Sequence, residues 1–159
     1  MGTQHHRLPR EHYQGRVWAS FTLCIEKRRA FFVDPAIVQV FVNFLEEVAE
    51  KHDFNAIYCF MPDHSHLILL GRSDVSDILS GIEDFKQATG NWLKCRIPLI
   101  RWQKSFYDRI IRARELGVQV RYVLHNPVRR RLCSEWRDYP FIGAIGMDLE
   151  TFLQQLGPD

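Results

Sequence analysis

Side chains two apart along Val17 to Ile25 fall into two sets. Trp18, Ser20, Thr22 and Cys24 lie on one side and Val17, Ala19, Phe21, Leu23 and Ile25 on the other, which predicts a strand ended by the charged Lys27-Arg28-Arg29 turn. The period then turns helical. Asp34 is an N-cap with Pro35 in the first turn, and Ile37, Val38, Phe41, Leu45 and Val48 recur at helical spacing to about Lys51. Phe54 to Met61 and His64 to Leu70 read as a strand pair closed by Pro62-Asp63. Both strands carry apolar residues on both faces, so the sheet is expected to be covered on each side. Ser76 or Asp77 caps a further helix that buries Ile78, Leu79, Ile82, Phe85, Ala88, Trp92 and Leu93 and stops at Ile97-Pro98. The latter half of Trp102 to Arg112 predicts a fourth strand, and Arg114 to Leu124 a helix. Asn126 to Arg131 predicts a short helical or turn segment, Trp136 to Phe141 an aromatic turn, and Leu149 to Leu156 a last helix.

Length and composition bound this picture without changing it. The 159 residues are 46% hydrophobic and 13% aromatic, which suits one compact domain with a real core and excludes a disordered chain. Residues 1–16 are polar and basic and carry His5-His6; they read as an arm with no element, leaving 17–159 as a single domain. No apolar run approaches the roughly 20 residues that span a bilayer, and no signal peptide opens the chain, so a cytoplasmic protein without membrane contact is expected. Cys24, Cys59, Cys95 and Cys133 lie far apart, with no CxxC pair, and are expected to be reduced, buried thiols. The net charge of +2 says little, but its distribution says more. Bases gather at Lys27-Arg28-Arg29, at Arg109, Arg112 and Arg114, and at Arg129-Arg130-Arg131, while acids gather at Glu46, Glu47, Glu50 and from Asp74 to Asp84. Such segregation makes a positive face able to steer a polyanion.

Candidate chemistry starts at Pro62-Asp63-His64-Ser65-His66. On a strand, His64 and His66 point to one face and can grip one ion or one phosphate together. A packed or surface pair is the plainer alternative. Tyr122 precedes Asn126 by one helical turn, so phenol and amide share a face. If that face opens onto the histidines, Asn126 can be a third ligand and Tyr122 a nucleophile toward a bound phosphodiester. Otherwise Tyr122 is a half-buried helix tyrosine, and His125 is either the alternative donor or base, or a surface residue. Rings interleaved with Lys and Arg in Trp102 to Arg112 suit single-stranded nucleic acid, or else an ordinary edge strand.

Four blocks carry a resemblance. Met61-Pro62-Asp63-His64-Ser65-His66-Leu67, Phe85-Lys86-Gln87 with Thr89-Gly90, Trp102-Gln103 with Phe106 to Arg112, and Tyr122-Val123 with Asn126-Pro127-Val128-Arg129 resemble, in order and spacing, the REP-associated tyrosine transposases. These belong to the single-tyrosine His-x-His transposases of the insertion-sequence type. The resemblance implies an α+β fold with a ferredoxin-like, RRM-like antiparallel sheet and helices packed on it. It implies a nuclease and strand transferase dependent on Mg²⁺ or Mn²⁺, acting on single-stranded or hairpin DNA of palindromic repeats as a monomer or homodimer. His64 and His66 are then the metal pair, Asn126 the third ligand and Tyr122 the nucleophile that forms a 5′-phosphotyrosine. DNA contacts are expected from Arg7, Arg10 and Arg16 of the arm, from Lys86, Lys104, Arg109 and Arg112, and from Arg129. Ser65 departs from the bulky residue usual between the histidines. It leaves a second possibility, a hairpin-binding protein whose catalysis has lapsed; a metal-binding domain unrelated to nucleic acid is the third.

Overall fold

The computed structural model describes residues 7–158, so His5 and His6 lie outside the described residues. Among the described residues, five strands form one antiparallel sheet in the order β4-β1-β3-β2-β5: β1 Trp18–Cys24, β2 Phe54–Met61, β3 His64–Gly71, β4 Tyr107–Ile111 and β5 Ile142–Ile145. The helices are α1 Pro35–His52, α2 Ile78–Arg96, α3 Leu116–Leu124, α4 Asn126–Arg129 and α5 Leu149–Leu156. The α+β class and the β-α-β-β opening are as expected, with β3 at the centre of the sheet. No helix among the described residues is long and apolar enough to cross a membrane.

The local signals act as their chemistry requires. The Asp34 carboxylate accepts from the Ala36 N–H, with Pro35 at the helix start, and the Asp77 carboxylate accepts from Ser80 N–H at the head of α2. Asp53 closes α1 in the left-handed region at φ 61°, and its carboxylate takes bonds from Arg72, Ser73 and Ser76 that tie this corner to the far end of β3. Period-two alternation then sorts the sheet. Ala19, Phe21, Leu23, Ser65, Leu67, Leu69 and Phe60 share one face, where Phe60 meets Phe41 of α1 at 6.3 Å between ring centroids. The other face carries Trp18, Ser20, Thr22, Cys24, His64, His66, Ile68, Leu70 and Cys59, partly covered by Leu116, Val120, Val123 and Leu124 of α3.

Three features differ from the sequence expectation. β5 is a strand that Ile-Gly-Ala-Ile did not announce: four residues give too short an alternation, and Gly143 is there because its partner Tyr58 lies across it, the Tyr58 hydroxyl occupying the space a Cβ would need. The helix expected from Arg114 begins at Leu116, preceded by a 3-10 turn at Ala113–Glu115. Within the arm, Arg10–Tyr13 forms a 3-10 turn, and Tyr13 is buried against Phe21 with its hydroxyl on the Asp108 carboxylate. All four cysteines are free thiols; Cys24 and Cys59 are buried as expected, whereas Cys95 is exposed and Cys133 half-buried.

Candidate active site

The Pro62-Asp63 turn delivers His64 and His66 to the first and third positions of β3, so both rings stand on the same face at the mouth of the central strand. Their Nε2 atoms are 3.1 Å apart. Each ring is anchored through its other nitrogen: His64 Nδ1 lies 2.6 Å from Asp63 Oδ1, and His66 Nδ1 lies 3.2 Å from Thr22 Oγ1 of the neighbouring strand. An ionised carboxylate only accepts, so His64 Nδ1 carries the hydrogen and its Nε2 presents a lone pair into the site. Arg28 locks the carboxylate from behind, its Nε 2.8 Å from Asp63 Oδ2 and its Nη1 3.2 Å from Cys24 Sγ. Lys27 and Arg28 reach this position through two successive left-handed residues, φ 62° and 52°, a conformation that costs non-glycine residues energy and that tertiary contacts hold in place.

Burial sets the protonation of the pair. Desolvation depresses His64 in spite of Asp63 beside it, and desolvation followed by the charges of His64, Arg129, Arg130 and Arg28 pushes His66 down to about 3. Burial would raise Asp63, but its bonds to His64 and Arg28 overcome that and hold it below the usual carboxylate range. At neutral pH the histidines therefore bring two neutral rings and no charge. Facing nitrogens at 3.1 Å need either a hydrogen or a cation between them. Thr22 can serve both cases, because its hydroxyl donates to His66 Nδ1 when Nε2 holds the hydrogen and accepts when Nδ1 does. Two ligands at about 2.1 Å from one cation stand roughly 3.0 Å apart at octahedral angles and roughly 3.4 Å apart at tetrahedral ones, so the observed spacing accommodates a metal.

Asn126, 62 residues further on, brings its amide to the same point, with Nδ2 3.3 Å from His64 Nε2. Its Oδ1 faces Arg129 Nη2 at 3.5 Å, so as placed the amide donates to His64; rotation by 180° about the last side-chain bond turns the oxygen toward the histidines as a ligand. Among the described residues no cluster of three His, Cys, Asp or Glu forms a metal site. Two imidazoles and an amide fit a divalent cation, but they are neutral donors whose hold on Mg²⁺ or Mn²⁺ is weak until an anionic oxygen joins them.

Tyr122 lies one turn before Asn126 and is 55% exposed. Arg129 fixes it twice, stacking its guanidinium 3.9 Å from the ring centroid and donating from Nη2 to the Tyr122 carbonyl at 2.6 Å. The helical spacing puts Gln119, Tyr122 and Asn126 on one flank of α3 and its continuation. Arg121, on the other flank, donates to the Gly157 carbonyl beyond α5.

Other expected DNA contacts lie elsewhere. Arg7 pairs with Asp108 at 3.0 Å and caps the Phe106 ring, Arg10 pairs with Glu83 of α2 at 2.7 Å, and Arg16 donates to the Arg72 carbonyl at the opposite end of β3. Lys86 Nζ donates to the Lys104 carbonyl at 2.5 Å, which ties these two residues to each other on the α2 side. Arg112 is taken up in the turn before α3, its backbone N–H reaching Glu115. The arm arginines Arg7, Arg10 and Arg16 are thus engaged in holding the arm down. Arg109 and Arg129 stand on the histidine side. The sequence reading missed Asp63, Thr22, Arg28 and Arg130 around the pair; only the Pro-Asp turn and the two basic runs hinted at them.

The chain matches the model of the transposase family described as IS200-like over residues 14–126. Among solved structures it is similar to a REP-associated tyrosine transposase bound to a REP hairpin, with 22% identity, a TM-score of 0.73, and 89% of this chain and 82% of that one covered. It is also similar to a candidate transposase from Deinococcus radiodurans R1, with 16% identity, a TM-score of 0.52, and 79% and 97% covered. No curated protein matches it.

Proposed function

The chain belongs to the IS200-like transposase family, and from that premise we propose that it cuts and rejoins single-stranded or hairpin DNA through a covalent bond to Tyr122. His64, His66 and Asn126 hold Mg²⁺ or Mn²⁺ beside it. The observation that carries this reading is the convergence of two distant segments: on β3 the His64 and His66 Nε2 atoms are 3.1 Å apart, and the Asn126 amide comes within 3.3 Å of one of them, with Tyr122 one helical turn before Asn126 in the chain. The similar protein solved with a REP hairpin supports hairpin DNA as substrate and a place in the REP-associated branch.

When bound, the cation polarises the phosphoryl group and fixes its orientation. The protein does the rest. Asp63 and Thr22 keep both rings turned so that their Nε2 lone pairs meet. Arg28, Arg129 and Arg130 supply the positive field that draws a phosphodiester toward otherwise neutral ligands. Tyr122 Oη forms a bond to phosphorus while the bond from phosphorus to the neighbouring 3′ oxygen breaks. The phenolic proton passes to solvent or to the departing oxygen, leaving a 5′-phosphotyrosine and a 3′-hydroxyl. Rejoining is the reverse: a 3′-hydroxyl attacks, the phenol leaves, and the number of phosphoester bonds is conserved without ATP.

Incubation with Mn²⁺ and labelled DNA hairpins carrying single-stranded flanks tests this. A denaturation-resistant adduct is expected, absent in Tyr122→Phe, whose hairpin binding stays within a few-fold of the parent. Cleavage persisting in Tyr122→Phe would mean a water nucleophile. Tight, salt-sensitive binding with no adduct under any divalent metal would mean a lapsed enzyme that only binds.

A further inference from the structure

The β1–β4 half of the histidine face is less covered than the half under α3. Ser20 and Thr22 are half-buried there, Tyr107 is 59% exposed, and the Arg109 side chain is 60% exposed. Register puts Tyr107 opposite Thr22 and Thr22 opposite His66, so these three side chains form one cross-strand row on one face of the sheet. Two strand spacings, about 10 Å, separate the backbone of Tyr107 from that of His66. Arg109 is the next residue of β4 on the same face, while period-two alternation sends Asp108 to the opposite face, where Arg7 neutralises it. Glu115 lies 3.7 Å from Arg109, and it marks the flank of α3 that also carries Gln119 and Tyr122. Register and helical spacing thus set His66 and Thr22 between the α3 flank that carries Tyr122 and, on β4, a ring followed by a guanidinium.

We propose that Tyr107 is a base-stacking residue that receives a nucleotide beside the phosphate held at the histidine pair, with Arg109 on the adjoining phosphate. This rests on the reading of the protein as a single-strand DNA enzyme. It commits the open sheet half to the flanking single strand, not to the duplex stem. The case for that occupant is chemical. A ring and a cation two positions apart on a strand offer a π face and a phosphate contact at the spacing of successive side chains, which is how single strands are held without base-edge reading. The surface is continuous with the proposed site, and the positive charges of Arg28, Arg129 and Arg130 border its other end.

Binding of fluorescein-labelled dT15, and of hairpins with 2-aminopurine at each position flanking the cleavage point, tests this at two salt concentrations. Tyr107→Ala is expected to weaken dT15 binding about five- to a hundredfold, and Tyr107→Phe to stay within twofold of the parent. Quenching of 2-aminopurine at one flanking position should persist in Tyr107→Phe and vanish in Tyr107→Ala. Arg109→Gln should lower the slope of log affinity against log salt by about one. Far-ultraviolet circular dichroism and urea midpoints show whether the alanine variant is folded; if it is not, Tyr107→Leu takes its place in the comparison with Tyr107→Phe. Unchanged dT15 affinity and quenching in the folded variant overturn the inference, while a Tyr122-dependent adduct leaves the proposed function standing. Loss of the adduct in Tyr107→Phe with its survival in Tyr122→Phe overturns both, because Tyr107 is then the nucleophile.

Discussion

Ser65 sits between the two histidines in sequence and points away from them, into the core beside Leu23 and Phe60. It is 0% exposed, and its hydroxyl finds no hydrogen-bond partner among the described residues. A hydroxyl buried without a partner costs about 1–3 kcal/mol in proteins. Ser65→Ala removes that cost and leaves a gap of one oxygen, roughly 10 Å³, worth about 0.2 kcal/mol at 24 cal/mol per Å³. The lower strand preference of alanine takes back a few tenths more. The balance is a gain of about 1 kcal/mol. In urea, with a slope of about 2 kcal/mol per molar, that moves the unfolding midpoint up by about 0.5 M, and it raises the melting temperature by about 2–4 °C. Because the side chain faces away from the pair, Mn²⁺ affinity measured by calorimetry should stay within twofold. A Ser65→Ala protein less stable than the parent, at an unchanged urea slope, would refute the reasoning by showing that the hydroxyl has a partner.

Three further outcomes are expected. Asp63→Ala frees His64 to turn and should weaken Mn²⁺ binding in calorimetry by about 10–100-fold, the usual effect of losing a partner that orients a ligand; an unchanged affinity would deny Asp63 that role. Neutral ligands predict that Mn²⁺ binds at least tenfold more tightly when a single-stranded oligonucleotide supplies phosphate, and reciprocally that Mn²⁺ tightens the oligonucleotide by the same factor; titrating each in the presence of the other measures this. The hydrogen bond from His52, aided by Lys51, holds the Asp84 carboxyl below its ordinary value. A depressed carboxylate stabilises above its unfolded pKa of about 3.9, and the contribution is lost as pH falls through the lower folded value. Urea midpoints of parent and Asp84→Asn should therefore differ at pH 5, begin to converge as pH falls below about 3.9, and converge fully only below the lower folded value; a constant difference would exclude the linkage.

The strand and helix faces were legible in the chain because they follow from local periodicity. Alternation from Trp18 to Cys24 and from His64 to Leu70 decided which side chains share a face, and Asp34-Pro35 and Asp77 decided where helices begin. The Pro-Asp turn with His-x-His fixed that two imidazoles point the same way, and the four-residue step from Tyr122 to Asn126 fixed that phenol and amide share a flank. Tertiary structure decided which faces meet. Asn126 reaches His64 across 62 residues, Arg28 reaches Asp63 across 35, and Thr22 meets His66 only because β1 pairs with β3 in one register. β5 exists because the far edge of β2 offers unpaired backbone groups and Tyr58 needs a residue without a side chain opposite it. Which acids and carbonyls hold the arm arginines was likewise decided by the fold: Asp108 for Arg7, Glu83 for Arg10 and the Arg72 carbonyl for Arg16. Period and capping act over one turn or one pleat and are written residue by residue. Pairing and ion-pair partners are set by which arrangement buries all the apolar faces together, a property of the whole chain.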